Sequence, residues 1–97
     1  MAIFSSKYLE KIKIPNNLFY LNRSCFSASS IVEISLKNVS ITKIPEGCFS
    51  LCNKLKSIIL PEKLVYIEER AFHTCEILDN IILPESLDYI GYCAFGN

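Results

Sequence analysis

The sequence offers little on which chemistry could be built. It has one histidine, no tryptophan and no net charge, with ten basic residues set against ten acidic ones. A neutral surface of mixed sign argues against a nucleic-acid or anionic-membrane partner. Long apolar runs are missing too. The longest, such as Leu18–Leu21 and Leu64–Ile67, are four residues, far below the roughly 20 that a membrane-spanning helix needs. Met1–Phe4 gives way at once to Ser5, Ser6 and Lys7, so a signal-peptide apolar region is absent. The expectation is a soluble domain without an export signal of its own, either whole or a piece of a longer secreted protein. The five cysteines are an odd number, which excludes complete disulfide pairing within one chain. Ninety-seven residues at 51% hydrophobic content fit a single domain with ample material for a core.

What the chain does have is a repeat. Leu55–Ile67 reads LKSIILPEKLVYI and returns as LDNIILPESLDYI at Leu78–Ile90, matching at nine of thirteen positions with an offset of 23. Self-similarity at that period is the signature of stacked coils. Extending the register gives coils at about 2–24, 25–47, 48–70 and 71–93, with a partial fifth at 94–97. The first coil carries Leu9, Ile12, Ile14, Pro15, Leu18 and Leu21 in the same frame. The second is irregular: Ile31 follows Leu9 at an offset of 22 and precedes Leu55 at an offset of 24. Its extra residue is placed in the loop Lys37–Ser40, because an interior shift would turn the apolar set out of the core.

Within each coil the Ile-x-Leu segment predicts a short strand ended by proline at Pro15, Pro61 or Pro84. The following Leu-x-x-Ile predicts a second short extended piece. Glu69–Cys75, with a small residue followed by an aromatic, suits one helical turn. The apolar area that a single coil can bury falls well short of the entropy cost of ordering it, so stability must lie between neighbouring coils.

The pattern Leu-x-x-Ile-x-Leu-Pro-x-x-Leu-x-x-Ile-x-x-x-Ala-Phe-x-x-Cys, written out by Leu55–Cys75, closely resembles the BspA-like (Treponema-type) leucine-rich repeat. The resemblance covers nearly the whole chain. It implies a mainly β solenoid of about four 23-residue coils with short helical turns, curved so that a parallel sheet lines the concave side. It further implies a non-catalytic protein-binding module with no cofactor, since family members are often surface or secreted proteins in adhesion and protein binding. The second coil departs from the pattern, with Lys37 or Asn38 in place of proline and Ser29 in place of cysteine.

The residues themselves raise two chemical alternatives. Cys52 and Cys75 share a repeat position, which would allow a disulfide or half of a zinc site with Cys48-x-x-x-Cys52 and His73-x-Cys75 as ligands, but tetrahedral zinc needs four convergent ligands and a ladder spreads them along one line. A Cys75–His73 nucleophile pair would need an exposed thiol of low pKa and a third, orienting residue. The register instead puts Cys75 inside and His73 on the rim. Cys25 and Cys48 occupy the position of Ala2, Ala71 and Ala94, which marks a small buried site. The cysteines are therefore expected to be reduced, buried core thiols, with neither a metal nor a catalytic residue in the chain.

Strand alternation turns two columns outward on the concave sheet: Lys11, Glu33, Ser57, Asn80, and Lys13, Ser35, Ile59, Ile82. Glu10, Val32, Lys56 and Asp79 flank them. The adjacent isoleucines Ile59 and Ile82 make this face the expected protein-binding site, the alternative being that they serve strand propensity alone; surface adhesion or host interaction is the setting that the resemblance implies. The alternative is a structural, self-assembling repeat unit or a fragment of a longer surface protein. In that case the strand ending in Ile81, Ile82 and Leu83 is the expected point of end-to-end self-association.

Overall fold

Every described element is a strand of two or three residues or a turn, because the chain changes direction before a longer strand can form. The computed structural model describes residues 11–14, 18 and 20–96, with only the backbone for Lys11–Lys13. The strands are β1 (Lys11–Lys13), β2 (Glu33–Ser35), β3 (Lys43–Ile44), β4 (Ser57–Ile59), β5 (Tyr66–Ile67), β6 (Asn80–Ile81) and β7 (Tyr89–Ile90). They form two parallel sheets. The first is ordered β1-β2-β4-β6 and the second β3-β5-β7. The sequence marks Ala2, Leu9 and Pro15, and the flanking Glu10, lie outside the described residues.

Both predicted extended pieces are strands in the second, third and fourth coils, and in the first coil the earlier piece is β1. Their register carries the irregular second repeat. Lys11 faces Glu33, 22 positions on, and Glu33 faces Ser57, 24 positions on, while Ser57 faces Asn80 at the regular 23. The second sheet keeps 23 throughout, with Lys43 opposite Tyr66 and Tyr66 opposite Tyr89. The extra residue thus lies between the two sheets, in the 36–41 loop. There the Val39 amide donates to the Leu36 carbonyl at 3.1 Å and Val39 is itself buried, as Pro61 is in the next repeat.

Each interior strand sends one side chain into a common core. Ile34 and Ile58 from the first sheet join Ile44 and Ile67 from the second. Leu36, Leu55, Leu60 and Leu64 fill the corners. Phe26, Phe49, Phe72 and Phe95 stack as a ladder with ring centroids 5.0, 5.2 and 5.1 Å apart and planes within 5° of parallel.

The third side of each repeat corrects the expected helical turn. Glu69–Cys75 and its equivalents are runs of hydrogen-bonded turns, and no helix occurs among the described residues. The reason is backbone conformation. Ser24, Gly47, Arg70 and Cys93 share one repeat position, and Ala28, Leu51 and Thr74 another. All seven have φ between +54° and +63°. A left-handed residue twice in each run, four positions apart, stops an α-helix from propagating.

The result is a strict alternation of amides. Those of Phe26, Phe49 and Phe72 donate forward into the next repeat, to the carbonyls of Cys48, Ala71 and Ala94, at 2.7–2.9 Å. Those of Cys25, Cys48 and Ala71 donate back within their own repeat, to Asn22, Pro45 and Glu68, at 3.1–3.3 Å. The forward bonds tie each repeat to the next, and the backward bonds close its own turns.

A left-handed side-chain residue costs about 1 kcal/mol or more relative to glycine. Ala28→Gly, on an exposed turn, is expected to raise stability by about 1 kcal/mol less the added chain entropy of glycine. Gly47→Ala is expected to lower it by about the same amount, since its new Cβ would also stand 3.1 Å from the Ser24 Oγ. Urea unfolding midpoints at constant slope measure both. A gain from Gly47→Ala would refute the backbone argument.

Candidate functional site

The outward residues of the first sheet form the columns read from the sequence. Glu33, Ser57 and Asn80 are directly opposed on neighbouring strands, as are Ser35 and Ile59. Glu33, Ser35 and Asn80 are exposed and Ser57 is half-buried. Lys11 and Lys13 occupy the matching positions on β1, and their side chains lie outside the described residues. Ile59, at the end of β4, is 53% exposed, and Ile82, the residue after β6, is 81% exposed. Glu33, Lys37, Ser57, Ile59, Asn80 and Ile82 border an open groove of about 590 Å³. In the flanking column Lys56 and Asp79 are exposed and Val32 is half-buried.

The second sheet has a face that sequence reasoning missed. Lys43, Tyr66 and Tyr89 stand opposite one another on β3, β5 and β7, and Tyr20 occupies the same repeat position one coil before Lys43. Tyr20, Tyr66 and Tyr89 are all exposed. The Tyr66 and Tyr89 rings lie 6.3 Å apart at 60°. Tyr20 and Lys43 border a depression of about 400 Å³. Beside this column run three ion pairs at or near the surface, Arg23–Glu46 at 3.9 Å, Lys43–Glu68 at 3.7 Å and Arg70–Glu69 at 3.9 Å. At those distances and exposures each contributes little to stability. Arg70 also sits 5.8 Å from the Tyr92 ring centre. The available signal is the shared repeat position of Tyr20, Tyr66 and Tyr89, beside the inward marks that define the coil.

The sulfur atoms have structural partners. Cys52 donates its thiol to the Phe26 carbonyl at 3.1 Å, and Cys75 donates to the Phe49 carbonyl at 3.0 Å. Ser29, at the same repeat position, supplies a hydroxyl that accepts from the Ile31 amide and lies 3.9 Å from the Cys52 sulfur. The position holds a small side chain that can take part in a buried hydrogen bond, which either serine or cysteine satisfies. All five cysteines are free thiols. Cys25, Cys48 and Cys52 are buried as expected. Cys75 and Cys93 are only half-buried, a departure from the expected burial, because no described residue packs over the outer side of the last repeat.

Burial pushes the Cys25 thiol up and that of Cys48 well up. The neighbouring Cys52 side chain, and then burial, also raise Cys75. The Cys75 side chain in turn draws Cys52 down to about 7. The Cys52 side chain is nonetheless sealed inside the core, so a lowered pKa gives it no access to a substrate. His73 is half-buried rather than fully solvated, with Nδ1 2.9 Å from the Thr74 hydroxyl. Among the described residues no three His, Cys, Asp or Glu side chains converge as a metal site, and no helix is long and apolar enough to cross a membrane.

A family model described as a BspA type leucine rich repeat region (6 copies) matches residues 1–97. No curated protein and no solved structure matches the chain.

Thiol alkylation of the native protein, followed by peptide mapping, should reach Cys93 first. Cys75 should follow more slowly at neutral pH, because a raised pKa leaves less thiolate. Cys25, Cys48 and Cys52 should react only as the protein unfolds. Labelling of Cys48 as fast as Cys93 would contradict this packing.

Proposed function

We propose that this chain, which belongs to the BspA-type leucine-rich repeat family, is a non-catalytic solenoid that binds a protein partner on the outer face of its first sheet. The carrying observation is that Ile59 and Ile82 are both exposed and both border the groove. Branched apolar side chains that point into solvent contribute little to the core. They are suited to burial by a second molecule. Around them Glu33, Ser35, Ser57 and Asn80 supply a polar rim that can accept and donate hydrogen bonds. Lys11 and Lys13 extend this face towards β1. Surface adhesion or host interaction is the setting that the family resemblance implies.

The test pairs two substitutions. Ile59→Lys with Ile82→Lys should leave the circular dichroism spectrum and unfolding midpoint nearly unchanged, since both side chains are exposed. The same double change should weaken binding to a captured protein partner by about tenfold or more, as loss of a central apolar contact does. Undiminished binding in the folded double variant would move the site elsewhere. Loss of folding would mean that the two residues belong to the core.

A second reading is favoured by the last repeat. Leu83 is 44% exposed where its counterpart Leu60 is 6%, and Ile90 is 47% exposed where Ile67 is fully buried. With Ile81 and Ile82 these side chains present an apolar end beside the outer edges of β6 and β7, a surface on which a second chain can dock. End-to-end self-association is the expected outcome for the isolated chain. Light scattering over a concentration series measures it, and a monomer at high concentration would remove this reading.

A further inference from the structure

The tyrosine column of the second sheet has no role in the core and none in the site just proposed. Tyr20 is 70% exposed, Tyr66 45% and Tyr89 46%. Tyrosine offers a large rigid apolar surface and a polar tip, and exposed clusters of it are typical of binding surfaces. Here three of the chain's five tyrosines share one repeat position, so they stand in line along the direction of stacking.

We infer that this column is a second docking site, separate from the groove on the first sheet, and that its occupant is an uncharged proline-rich segment in the polyproline II conformation.

The spacing supports that occupant. Neighbouring strands are about 4.8 Å apart, so positions two repeats apart on the column are separated by about 9.6 Å. Tyr20 and Tyr66 are such a pair, with Lys43 between them. A polyproline II helix rises about 3.1 Å per residue and repeats every third residue, about 9.3 Å. A ligand lying along the stack therefore presents one prolyl ring at each such interval. One ring enters the depression beside Tyr20 and Lys43, and the next rests on Tyr66. The Tyr66 and Tyr89 rings at 6.3 Å are already within the range of a paired contact, so they form one continuous platform under that second ring.

Charge points the same way. Each of the three ion pairs that border the column joins one cation to one anion, which leaves aromatic rings in a neutral surround. Such a face gives no attraction to a strongly charged chain. It matches a ligand that is apolar along its length and brings its own exposed carbonyls to the tyrosine hydroxyls. A polyproline II segment also loses little conformational entropy on binding, because it is already extended in solution. A flexible chain of the same length has no such advantage.

The probe is a fluorescein-labelled oligoproline of about ten residues, roughly three helical turns. It is titrated with the protein and followed by fluorescence anisotropy beside a glycine–serine peptide of equal length. Saturable binding of the oligoproline alone is expected. Tyr66→Ala with Tyr89→Ala should weaken it by about tenfold or more, while Tyr66→Phe with Tyr89→Phe retains most of it. Should the double alanine variant fail to fold, Tyr20→Ala, outside any strand, decides instead. Ile59→Lys with Ile82→Lys should leave oligoproline binding unchanged, which separates this site from the first-sheet groove. The inference is overturned by equal binding of the glycine–serine peptide, by no saturation at millimolar concentration, or by binding that survives loss of the tyrosines. Binding of a soluble oligosaccharide to the same tyrosines with none of the oligoproline would overturn it as well.

Discussion

The backbone bond that joins each turn run to the next repeat is the constraint on which the rest of the structure depends. The Phe26, Phe49 and Phe72 amides each reach a carbonyl of the following repeat, while the intervening amides close turns within their own. No amide in these runs can satisfy both partners, so the alternation has to be kept from repeat to repeat. It requires left-handed backbone at two positions per repeat, and it forbids a helix on this side. It also fixes the rise from one repeat to the next at the distance where phenylalanine rings stack, 5.0 and 5.2 Å between centroids. The ladder of rings follows from the backbone ladder; it does not set it.

A consequence is a division of labour among positions. Inward positions are held by two demands at once, strand pairing and a dense core. Leucine, isoleucine and phenylalanine therefore recur there with little variation. Outward positions on both sheets are free of those demands. On the first sheet, one column runs Ser35, Ile59, Ile82. On the second, one runs Tyr20, Lys43, Tyr66, Tyr89. The first keeps no consistent chemical type and the second keeps tyrosine at three of four positions, a latitude that is available once the fold is secured by backbone and core.

Much of the fold could be read from residues alone. The return of Leu55–Ile67 one repeat later located the strands of both sheets and the inward set, and the offsets at Ile31 and Leu55 placed the extra residue in the loop between sheets. The turn run could not be read. Its left-handed positions are filled by Ser24, Ala28, Leu51, Arg70, Thr74 and Cys93, with glycine only at Gly47, so the usual sequence mark of such backbone is absent. The half-exposure of Cys75 was equally hidden, because a repeat position carries the burial of an interior copy and not of the last one. For the candidate site, strand alternation gave the outward residues of the first sheet. The second sheet's face was missed because in Leu-x-x-Ile two residues lie between the inward marks, and periodicity alone does not say which of Val65 and Tyr66 stands clear of the surface.

The two faces are linked through a shared interior but not through shared contacts. Ile34 and Ile58 enter the core from the first sheet and Ile44 and Ile67 enter it from the second. A ligand on either outer face therefore meets a backbone whose opposite side is already packed. Close packing of this kind resists small displacements, so binding on one sheet has no soft element through which to alter the other. Substitutions on the two faces should then act independently, as distant sites without common partners do. Changes at the inward positions are different in kind. The Phe49 ring stacks on Phe26 before it and on Phe72 after it, so a cavity there would loosen two junctions at once. The outward residues of either sheet can thus vary without disturbing how the chain stacks, one repeat at a time.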